Sequence, residues 1–315
     1  MQVFSSTAAA RQALGGCVAT IGKYDGMHLG HQRILDVLKQ ESRAFDLPSV
    51  VVLSEPQPEE FFTGAQAPPR LNAFQDKVAF LEDYGIDAVF LLDFDAARSR
   101  QQAEAFIREF LVAGLGLQSL VIGDDFRFGR DRGGDINLLR QLAPALDYRV
   151  VAVPPCQESG ERVSSTLVRQ YLQQGNCERV AQLLGRPYSI SGEIVLGRQL
   201  GRQIGVPTAN VALRQARLPM TGVFAVRAEL ADGSFPGVAN LGYKPTVSAE
   251  RQPTLEVHLL DVERDLYGQH MRVHFLRKLR DERKFDGLDA LKAQIGQDIA
   301  AARAGLSMMA QAVAQ

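Results

Sequence analysis

The pattern of apolar and polar positions changes partway along this 315-residue chain. Between residues 17 and 153, short apolar runs alternate with segments whose apolar residues recur at three- and four-residue spacing. The runs predict buried strands and the spaced segments predict amphipathic helices, which together indicate an open α/β fold around a parallel sheet. The predicted strands are 17–21, 49–53, 88–92, 119–122 and 149–153, and the predicted helices are 31–45, 74–84, 103–113 and 136–146.

After residue 184 the apolar positions alternate with polar ones at strand spacing. Segments 189–196, 223–230, 254–260 and 272–276 follow this pattern, Gly- and Pro-rich turns separate them, and 231–234 is a hairpin-turn sequence. The pattern predicts a small antiparallel β-barrel, and helical spacing returns over 287–304. We therefore predict two domains, residues 1–184 and 185–315, of which the second ends in a helix.

Composition and charge exclude several classes of function for this chain. Hydrophobic residues make up 46% and charged residues 23%, as in ordinary globular proteins, and the formal net charge is −1. Such a balance is unlike that of dedicated nucleic-acid or membrane-surface binders. The three widely spaced cysteines form no zinc motif, and neither a signal peptide nor a membrane-spanning run is apparent. We expect a soluble, cytoplasmic protein that binds small molecules; weak self-association stays open.

A glycine-rich segment with two histidines, His28 and His31, leaves the first predicted strand. Glycines let the backbone approach a ligand closely, and a helix start offers free N–H groups to phosphate. On an opening helical turn the two imidazoles face the same way and can donate hydrogen bonds to phosphate oxygens. Ordinary helix-start histidines are the alternative, because the segment has neither the P-loop nor the dinucleotide-binding pattern.

Two further segments of the first half bear on a nucleotide site. Residues 164–166 are hydroxyl side chains at a predicted helix start, and Arg169 on the next turn can bind phosphate bidentately. Asp125, Phe126 and Phe128 follow the fourth predicted strand and suit a planar heterocycle with N–H groups. A helix cap with a surface arginine, and core phenylalanines beside a turn, are the structural alternatives.

The barrel half carries its own candidates. Residues 197–210 form a glycine-rich segment with two arginines that can wrap a triphosphate, and Thr208 and Asn210 offer neutral oxygens to Mg²⁺. On the strand at 254–260, Leu255, Val257 and Leu259 share one face, and Glu256 lies on the other. A strand carboxylate there can accept a proton from a substrate hydroxyl, although most strand glutamates are only solvated.

Two groups of motifs carry a family resemblance. The first group resembles the FMN adenylyltransferase module of bacterial FAD synthetases. It consists of the H-x-G-H segment, Pro56 and Pro58 after strand two, the sequence Gly-x-Asp-Phe-x-Phe-Gly, and the Ser-Ser-Thr loop. The second group resembles riboflavin kinase. It consists of the sequences Gly-Arg-x-x-Gly-x-Pro-Thr-Ala-Asn, Leu-Glu-Val-His and Leu-Arg-x-Glu-x-Lys-Phe. In order and spacing the chain is similar to the bifunctional riboflavin kinase/FAD synthetase family over about residues 18–303. Lys23, Phe224 and Leu167 depart from the common pattern.

The resemblance implies a Rossmann-like nucleotidyltransferase domain followed by a Greek-key barrel kinase. It implies Mg²⁺ as cofactor, ATP and riboflavin as substrates, FMN as intermediate and FAD as product. In the first domain the implied ATP-binding residues are Gly22, Tyr24, Asp25, Gly26, Ser164, Ser165, Thr166 and Arg169, with His28 and His31 catalytic, and the flavin-binding residues are Pro56, Pro58, Asp125, Phe126 and Phe128. In the kinase they are Gly197, Gly201, Arg202 and Pro207 for ATP, Thr208 and Asn210 for the metal, Arg280 for flavin and Glu256 as base.

Two other functions stay open on the sequence alone. One is an adenylyltransferase for a different acceptor, such as a nicotinamide or pantetheine phosphate, with an accessory barrel. The other is a flavin-binding regulatory module without catalysis. Asp125, Phe126 and Glu256 argue against the first, and the intact histidines with Thr208 and Asn210 argue against the second.

Overall fold

The structure is a computed structural model, and it describes residues 1–197, 201, 205–245 and 251–313. The chain divides into two compact units. The first comprises Met1–Pro68 and Lys77–Ser164, and the second comprises Pro69–Asp76 together with the chain from Ser165 onward. The domain boundary that the change in hydrophobic pattern predicts after residue 184 stays a prediction.

The first unit is built on a parallel sheet that, within the described residues, has six strands. They are β1 (Gln2–Phe4), β2 (Cys17–Gly22), β3 (Ser49–Glu55), β4 (Ala88–Asp93), β5 (Leu117–Gly123) and β6 (Arg149–Val153). Their order across the sheet is β1-β4-β3-β2-β5-β6. The chain therefore winds outward in opposite directions from β2 and β5, and ligands of open α/β sheets bind in the crevice at such a switch point.

Helices accompany this sheet, and buried apolar residues of several of them pack against its strands. They are α1 (Thr7–Leu14), α2 (Leu29–Phe45), α3 (Pro58–Thr63), α4 (Phe74–Asp83), α5 (Ala96–Arg100), α6 (Ala103–Ala105, continued as a π-helix over Phe106–Gly114) and α7 (Ile136–Leu146). The buried residues on β2 to β5 are mostly Val, Leu, Ile, Ala and Phe with almost no exposure, as expected for strands covered on both faces. A two-stranded hairpin, β7 (Gln157–Glu158) and β8 (Glu161–Arg162), follows β6.

The second unit contains helices α8 (Ser165–Gln173) and α9 (Cys177–Leu184) and a closed antiparallel barrel. Its described strands are β9 (Tyr188–Val195), β10 (Ala209–Val211), β11 (Gly222–Leu230), β12 (Gly233–Pro245), β13 (Arg251–Leu259) and β14 (His270–Arg280). Around the barrel they follow the order β10-β13-β12-β11-β14-β9. Helix α10 (Leu288–Val313) packs against β11, β12 and β14. The predicted fold class is confirmed.

Some elements escaped the sequence prediction. The long strand β12 was not predicted because Pro236, Gly237, Gly242 and Pro245 within it suggest turns. Pairing with β11 and β13 along its length overrides that local preference. The edge strand β1 is too short to show a period, and it forms by pairing with β4. Among the helices of the described residues, none has the length and apolar character that a membrane crossing requires.

Candidate active sites

The loop after β2 is shaped by an unusual run of backbone conformations. Tyr24, Gly26 and Met27 have φ angles of 48°, 88° and 47°, all in the left-handed region. A side chain at Gly22 would place its Cβ 3.0 Å from the Tyr24 ring, so glycine at the end of the strand lets the loop fold back without a tight contact. The loop delivers the chain to His28, the N-cap of α2, at the carboxyl end of the sheet.

His28 and His31 form a stacked pair. Their ring centroids lie 3.6 Å apart with 12° between the planes, and His28 Nδ1 accepts a hydrogen bond of 3.3 Å from the His31 backbone N–H. Because Nδ1 is the acceptor, a neutral His28 carries its proton on Nε2, from which it can donate. A side chain at Gly30 would place its Cβ 3.2 Å from the His28 ring, which explains the glycine between the two histidines.

His31 is held neutral by its surroundings. Burial, the neighbouring His28 and the ammonium groups of Lys77 and Lys23 together hold the pKa of His31 well below its ordinary value. Its Nδ1 atom is buried without a hydrogen-bond partner among the described residues. A neutral imidazole in this place is suited to hydrogen bonding with a ligand rather than to charge pairing.

Tyr24 and Asp25 are buried within the loop itself. The Tyr24 hydroxyl lies 2.7 Å from Thr20 Oγ1, and burial raises the pKa of that phenol above its ordinary value. These side chains hold the loop in shape, so a nucleotide at this loop would meet backbone groups and the histidines first. The ATP-binding role of Gly22, Tyr24, Asp25 and Gly26 stays a prediction.

The loop after β5, on the other side of the switch point, carries the second predicted group. Asp125 is exposed and forms an ion pair of 2.6 Å with Arg162 on β8. Phe126 stacks on Phe128 at 5.4 Å, and Phe128, 9% exposed, belongs to the hydrophobic core beside Phe106. Phe128 therefore packs between the core and Phe126. Phe126 is half-buried, so a ligand can reach its ring more easily than that of Phe128.

An aromatic cluster that the motifs did not indicate lies after β3 and β4. Phe61 and Phe62 on α3 and Phe94 after β4 form edge-to-face contacts at 5.2 to 5.9 Å, and Phe62 is 65% exposed. Pro56, joined to Glu55 by a cis bond, and Pro58 lead into α3. Adjacent phenylalanines in an otherwise polar segment were the signal that could have revealed this apolar surface.

The predicted Ser-Ser-Thr segment crosses the division between the units. Ser164 ends the first unit, whereas Ser165, Thr166 and Arg169 belong to α8 in the second. Arg169 Nε donates a hydrogen bond of 2.8 Å to the Pro69 carbonyl, which holds the guanidinium against the segment Pro69–Asp76. Phosphate binding by these residues stays a prediction.

In the barrel, Glu256 lies in a row of polar side chains across three strands. It pairs in register with Asn210 on β10 and Asn240 on β12, and directly opposed residues of an antiparallel sheet point to the same face. The adjacent Leu255 and Val257 are buried on the other face. The alternation predicted for this strand thus presents Glu256 outside the barrel core.

Ion pairing orients Glu256. Lys244 on β12 forms a short ion pair with the Glu256 carboxylate, and both side chains are about one-third exposed. Asn240 Nδ2 donates a hydrogen bond of 3.2 Å to Glu282, whose carboxylate lies where a Cβ on Gly242 would sit. The Glu256 carboxylate, oriented by Lys244 and partly exposed, remains accessible to a substrate hydroxyl.

The glycines before β10 pack against the predicted metal ligands. A Cβ on Gly197 would clash with the Asn210 side chain, and a Cβ on Gly201 would lie 3.3 Å from Thr208 Oγ1. The Pro207 carbonyl lies 2.8 Å from His258 Nδ1 on β13. Arg202, also predicted at the ATP site, lies outside the described residues. The glycines leave room beside Thr208 and Asn210 that any side chain would fill.

Arg280, predicted to bind flavin, is engaged within the protein. Its guanidinium binds both carboxylate oxygens of buried Asp298 on α10 at 2.8 to 3.1 Å and lies over the Phe285 ring. The visible role of Arg280 is to fasten the C-terminal helix to β14, and flavin binding by this residue stays a prediction.

Comparisons with known proteins agree with this division of chemistry. A family model described as FAD synthetase matches residues 10–167, and one described as riboflavin kinase matches residues 184–306. A bifunctional riboflavin kinase/FMN adenylyltransferase of Pseudomonas fluorescens is 46% identical over 289 residues, covering 92% of this chain and 93% of that protein. This chain belongs to the bifunctional riboflavin kinase/FMN adenylyltransferase family. The resemblance found in the motifs is confirmed.

Other members extend the match. The relative of that name from Haemophilus influenzae is 41% identical over 305 residues, covering 96% of this chain and 99% of its own length. A crystal structure described as a macrolide-efflux protein from Streptococcus pneumoniae superposes with a TM-score of 0.80 at 27% identity, covering 96% of this chain and 98% of that one. The sequence match to the family and the superposition on this fold each extend over nearly the whole chain.

Proposed function

We propose that residues 1–184 transfer an adenylyl group from ATP to FMN and that residues 185–315 phosphorylate riboflavin. The observation that carries the first assignment is the stacked His28–His31 pair at the switch point of the sheet. Glu256, held beside Asn210 and Asn240 on the barrel exterior, carries the second. Family membership supports both activities.

In the adenylyl transfer, a phosphate oxygen of FMN forms a new bond to the α-phosphorus of ATP. The bond from that phosphorus to the bridging oxygen of the β-phosphate breaks, and pyrophosphate leaves with the electron pair. The FMN phosphate is already anionic, so the step needs no protein base. His28 and His31 donate hydrogen bonds to phosphate oxygens as negative charge builds up, and positioning and charge stabilisation supply the rate.

In the kinase reaction, the Glu256 carboxylate accepts the proton of the terminal ribityl hydroxyl of riboflavin. The hydroxyl oxygen attacks the γ-phosphorus of ATP, and ADP leaves as the bond to the bridging oxygen breaks. Lys244 orients the carboxylate beforehand. A substrate triphosphate nearby offers Lys244 a second anionic partner, which releases the carboxylate for proton transfer.

The residues of the barrel fit a magnesium ion. Thr208 and Asn210 supply hard neutral oxygens, and the glycine positions 197 and 201 leave space beside them. Two protein oxygens leave the rest of the shell to phosphate and water. Within the described residues no group of three or more His, Cys, Asp or Glu side chains could hold a metal. A magnesium ion held by Thr208 and Asn210 would neutralise phosphate charge and orient ATP.

The aromatic residues of the first unit support flavin as the adenylyl acceptor. Phe126, the Phe61–Phe62–Phe94 cluster and the prolines before α3 offer flat apolar surface after β3, β4 and β5. Nicotinamide or pantetheine phosphates are smaller or lack a three-ring system, and they would leave much of this surface uncovered. We also infer from the near-neutral charge and the small-molecule substrates that the protein works in the cytoplasm without nucleic acid.

One incubation tests the proposal. The protein is mixed with riboflavin, ATP and Mg²⁺, and the flavins are separated by chromatography over time. We expect FMN to appear first and FAD to follow, with both reactions stopped by EDTA and restored by added Mg²⁺. FMN without FAD would favour another adenylyl acceptor, unchanged riboflavin would favour a regulatory module, and full activity in excess EDTA would remove the metal from the mechanism.

A further inference from the structure

Asp298 on α10 is a buried carboxylate that belongs to none of the recognised motifs. Its side chain and backbone together are 4% exposed. Both carboxylate oxygens accept hydrogen bonds of 2.8 to 3.1 Å from the Arg280 guanidinium at the end of β14. Gln294, one helical turn earlier, donates a further hydrogen bond of 2.8 Å to Asp298 Oδ1. Since a buried carboxylate is unfavourable without such partners, Asp298 depends on this hydrogen-bond network and the network depends on Asp298.

The network holds the segment 281–285, which lies between β14 and α10. Gln294 Oε1 accepts a hydrogen bond from the Arg283 guanidinium. The centre of the Phe285 ring lies 5.6 Å from the guanidinium carbon of Arg280 and 4.9 Å from that of Arg283. Cations are attracted to the faces of aromatic rings, so the phenylalanine joins the two arginines. The segment is thereby fixed to α10 through both arginines.

The same segment reaches the face of the barrel that carries Glu256. Asn240 Nδ2 donates a hydrogen bond of 3.2 Å to the Glu282 carboxylate. That carboxylate lies against β12 at Gly242, where a Cβ would come within 2.3 Å of both its oxygens. Asn240 is opposed in register to Glu256 across β12 and β13. The segment therefore places Glu282 next to the row of polar side chains that contains Glu256.

The order of the strands indicates which substrate the segment borders. β13, which carries Glu256, lies between β10 and β12. Thr208 and Asn210, the proposed magnesium ligands, lie just before and on β10, so the triphosphate belongs on that side. In phosphoryl transfer the attacking and leaving oxygens are roughly in line, so riboflavin approaches from the side away from ATP. That is the β12 side, where Glu282 lies.

We propose that Asp298 is a positioning residue for riboflavin phosphorylation: its hydrogen bonds hold the segment 281–285 on the riboflavin side of Glu256. The proposal rests on the proposed kinase function. Asp298 is buried and is given no contact with substrate. Loosening the segment leaves the residues proposed for ATP and magnesium in place, so binding of riboflavin should weaken more than binding of ATP.

Asp298→Asn keeps the size of the side chain but removes its charge and one of its two carboxylate oxygens. The readouts are kcat and the two KM values of phosphorylation, and hydrogen exchange of the amides of 281–286 followed by mass spectrometry. The KM for riboflavin should rise about 10-fold, within the range of coupling in one hydrogen-bond network. The KM for ATP, kcat and FAD formation from FMN should stay near their wild-type values, and exchange in the segment should become faster.

Asp261→Asn is the matched control. Asp261 accepts hydrogen bonds of 2.6 and 2.7 Å from Arg303 on α10, so this pair also joins the helix to the barrel. Asn tolerates the left-handed backbone of this position, where φ is 60°. Both KM values and exchange in the segment should be unchanged. If circular dichroism shows that Asp298→Asn does not fold, Gln294→Ala replaces it, since it breaks the link to Arg283 while the main ion pair remains.

Glu282→Ala tests whether Asp298 acts through the segment. This variant should also raise the KM for riboflavin. Combined with Asp298→Asn, it should raise that KM by less than the product of the two single effects, because both changes disturb one network. Single effects that multiply in full would show that the two residues act independently, and would overturn the proposal.

An unchanged KM for riboflavin in the folded Asp298→Asn or Gln294→Ala variant would also overturn the proposal, as would an equal rise in the KM for ATP. The same holds if Asp261→Asn has the same effect, because any loosening of the helix would then suffice. Failure of the underlying function is a separate result. Glu256→Gln would then phosphorylate riboflavin normally, while hydrogen exchange and riboflavin binding, followed by quenching of flavin fluorescence, still report on Asp298.

Discussion

The two candidate sites of this chain prepare their chemistry in different ways. At the histidine site, a loop with left-handed residues and a glycine packed against an imidazole hold the side chains in a largely buried arrangement. At the barrel site, Glu256 lies on a regular strand, where an ion pair and the strand register orient it. One site depends on burial and backbone shape, and the other depends on accessibility.

The difference between the two sites fits the reactions proposed for them. Adenylyl transfer starts from an anionic phosphate and needs donors in fixed positions, so neutral and buried imidazoles serve well. Phosphorylation of a hydroxyl needs an acceptor for its proton, and that acceptor must be charged and within reach of the substrate. Substitutions should therefore affect one reaction at a time.

The largest effect is expected from replacing both histidines with alanine. Each lost donor should lower the rate of FAD formation about 10²–10³-fold, while riboflavin phosphorylation stays nearly intact. Alanine at position 28 also removes the N-cap of α2, which costs about 1 kcal/mol. The His28→Asn/His31→Asn variant retains a capping side chain, so its FAD formation separates chemistry from folding. Wild-type FAD synthesis in either folded variant would contradict the assignment.

Glu256→Gln tests the other site. Gln keeps the size of the side chain but cannot accept the proton, so FMN formation should fall about 10²–10⁴-fold. Supplied with FMN directly, the variant should still make FAD. Glu229→Gln, which alters another outward glutamate of the same barrel, paired with His274, is the control and should phosphorylate riboflavin normally. Unimpaired phosphorylation by Glu256→Gln would mean that the carboxylate is only a solvated strand residue.

A smaller loss is expected when Lys244 is changed to Met. The Glu256 carboxylate then loses the partner that orients it, and riboflavin phosphorylation should slow on the order of 10-fold, with FAD formation from FMN unchanged. Arg264→Met breaks a comparable pair with Asp232 beside the turn between β11 and β12, and it serves as control. Equal kinase rates in the two variants would reduce the Lys244 pair to an ordinary surface contact.

The smallest effect concerns stability against pH. The pKa of His31 in the folded protein lies well below its ordinary value of about 6.5, so the unfolded chain binds the extra proton first as pH falls. This contribution to the free energy of unfolding is complete above pH 6.5 and decreases as pH falls toward the folded pKa. Urea unfolding at pH 7.5, 6.5 and 5.5 measures it. The loss should be smaller in His31→Gln, and an identical loss there would assign it to other groups.

Local patterns in the chain predicted most elements but not their partners. Strands β2 to β6 and helices α2, α4 and α7 begin and end within about two residues of their predicted bounds. Alternation also indicated which side of β13 carries Glu256. The order of strands across the sheet, and the pairing of β12 despite its prolines, depend on contacts between distant residues. No period along the chain encodes such contacts.

The candidate site residues also divide into those whose placement local spacing predicted and those whose placement depends on distant contacts. The spacing predicted that His28 and His31 lie together and that Glu256 lies on the outer face of its strand, because spacing along one helix turn or one strand sets which side chains share a face. Burial of Phe128 in the core and pairing of Arg280 with Asp298 could not be predicted, because each depends on an element far away in sequence. The sequence by itself determined the two folds and their chemistry. Only the tertiary structure decided that buried Lys77 of α4 donates a hydrogen bond to the Lys23 carbonyl in the histidine loop, because packing between distant segments determines which polar groups replace water around a buried side chain.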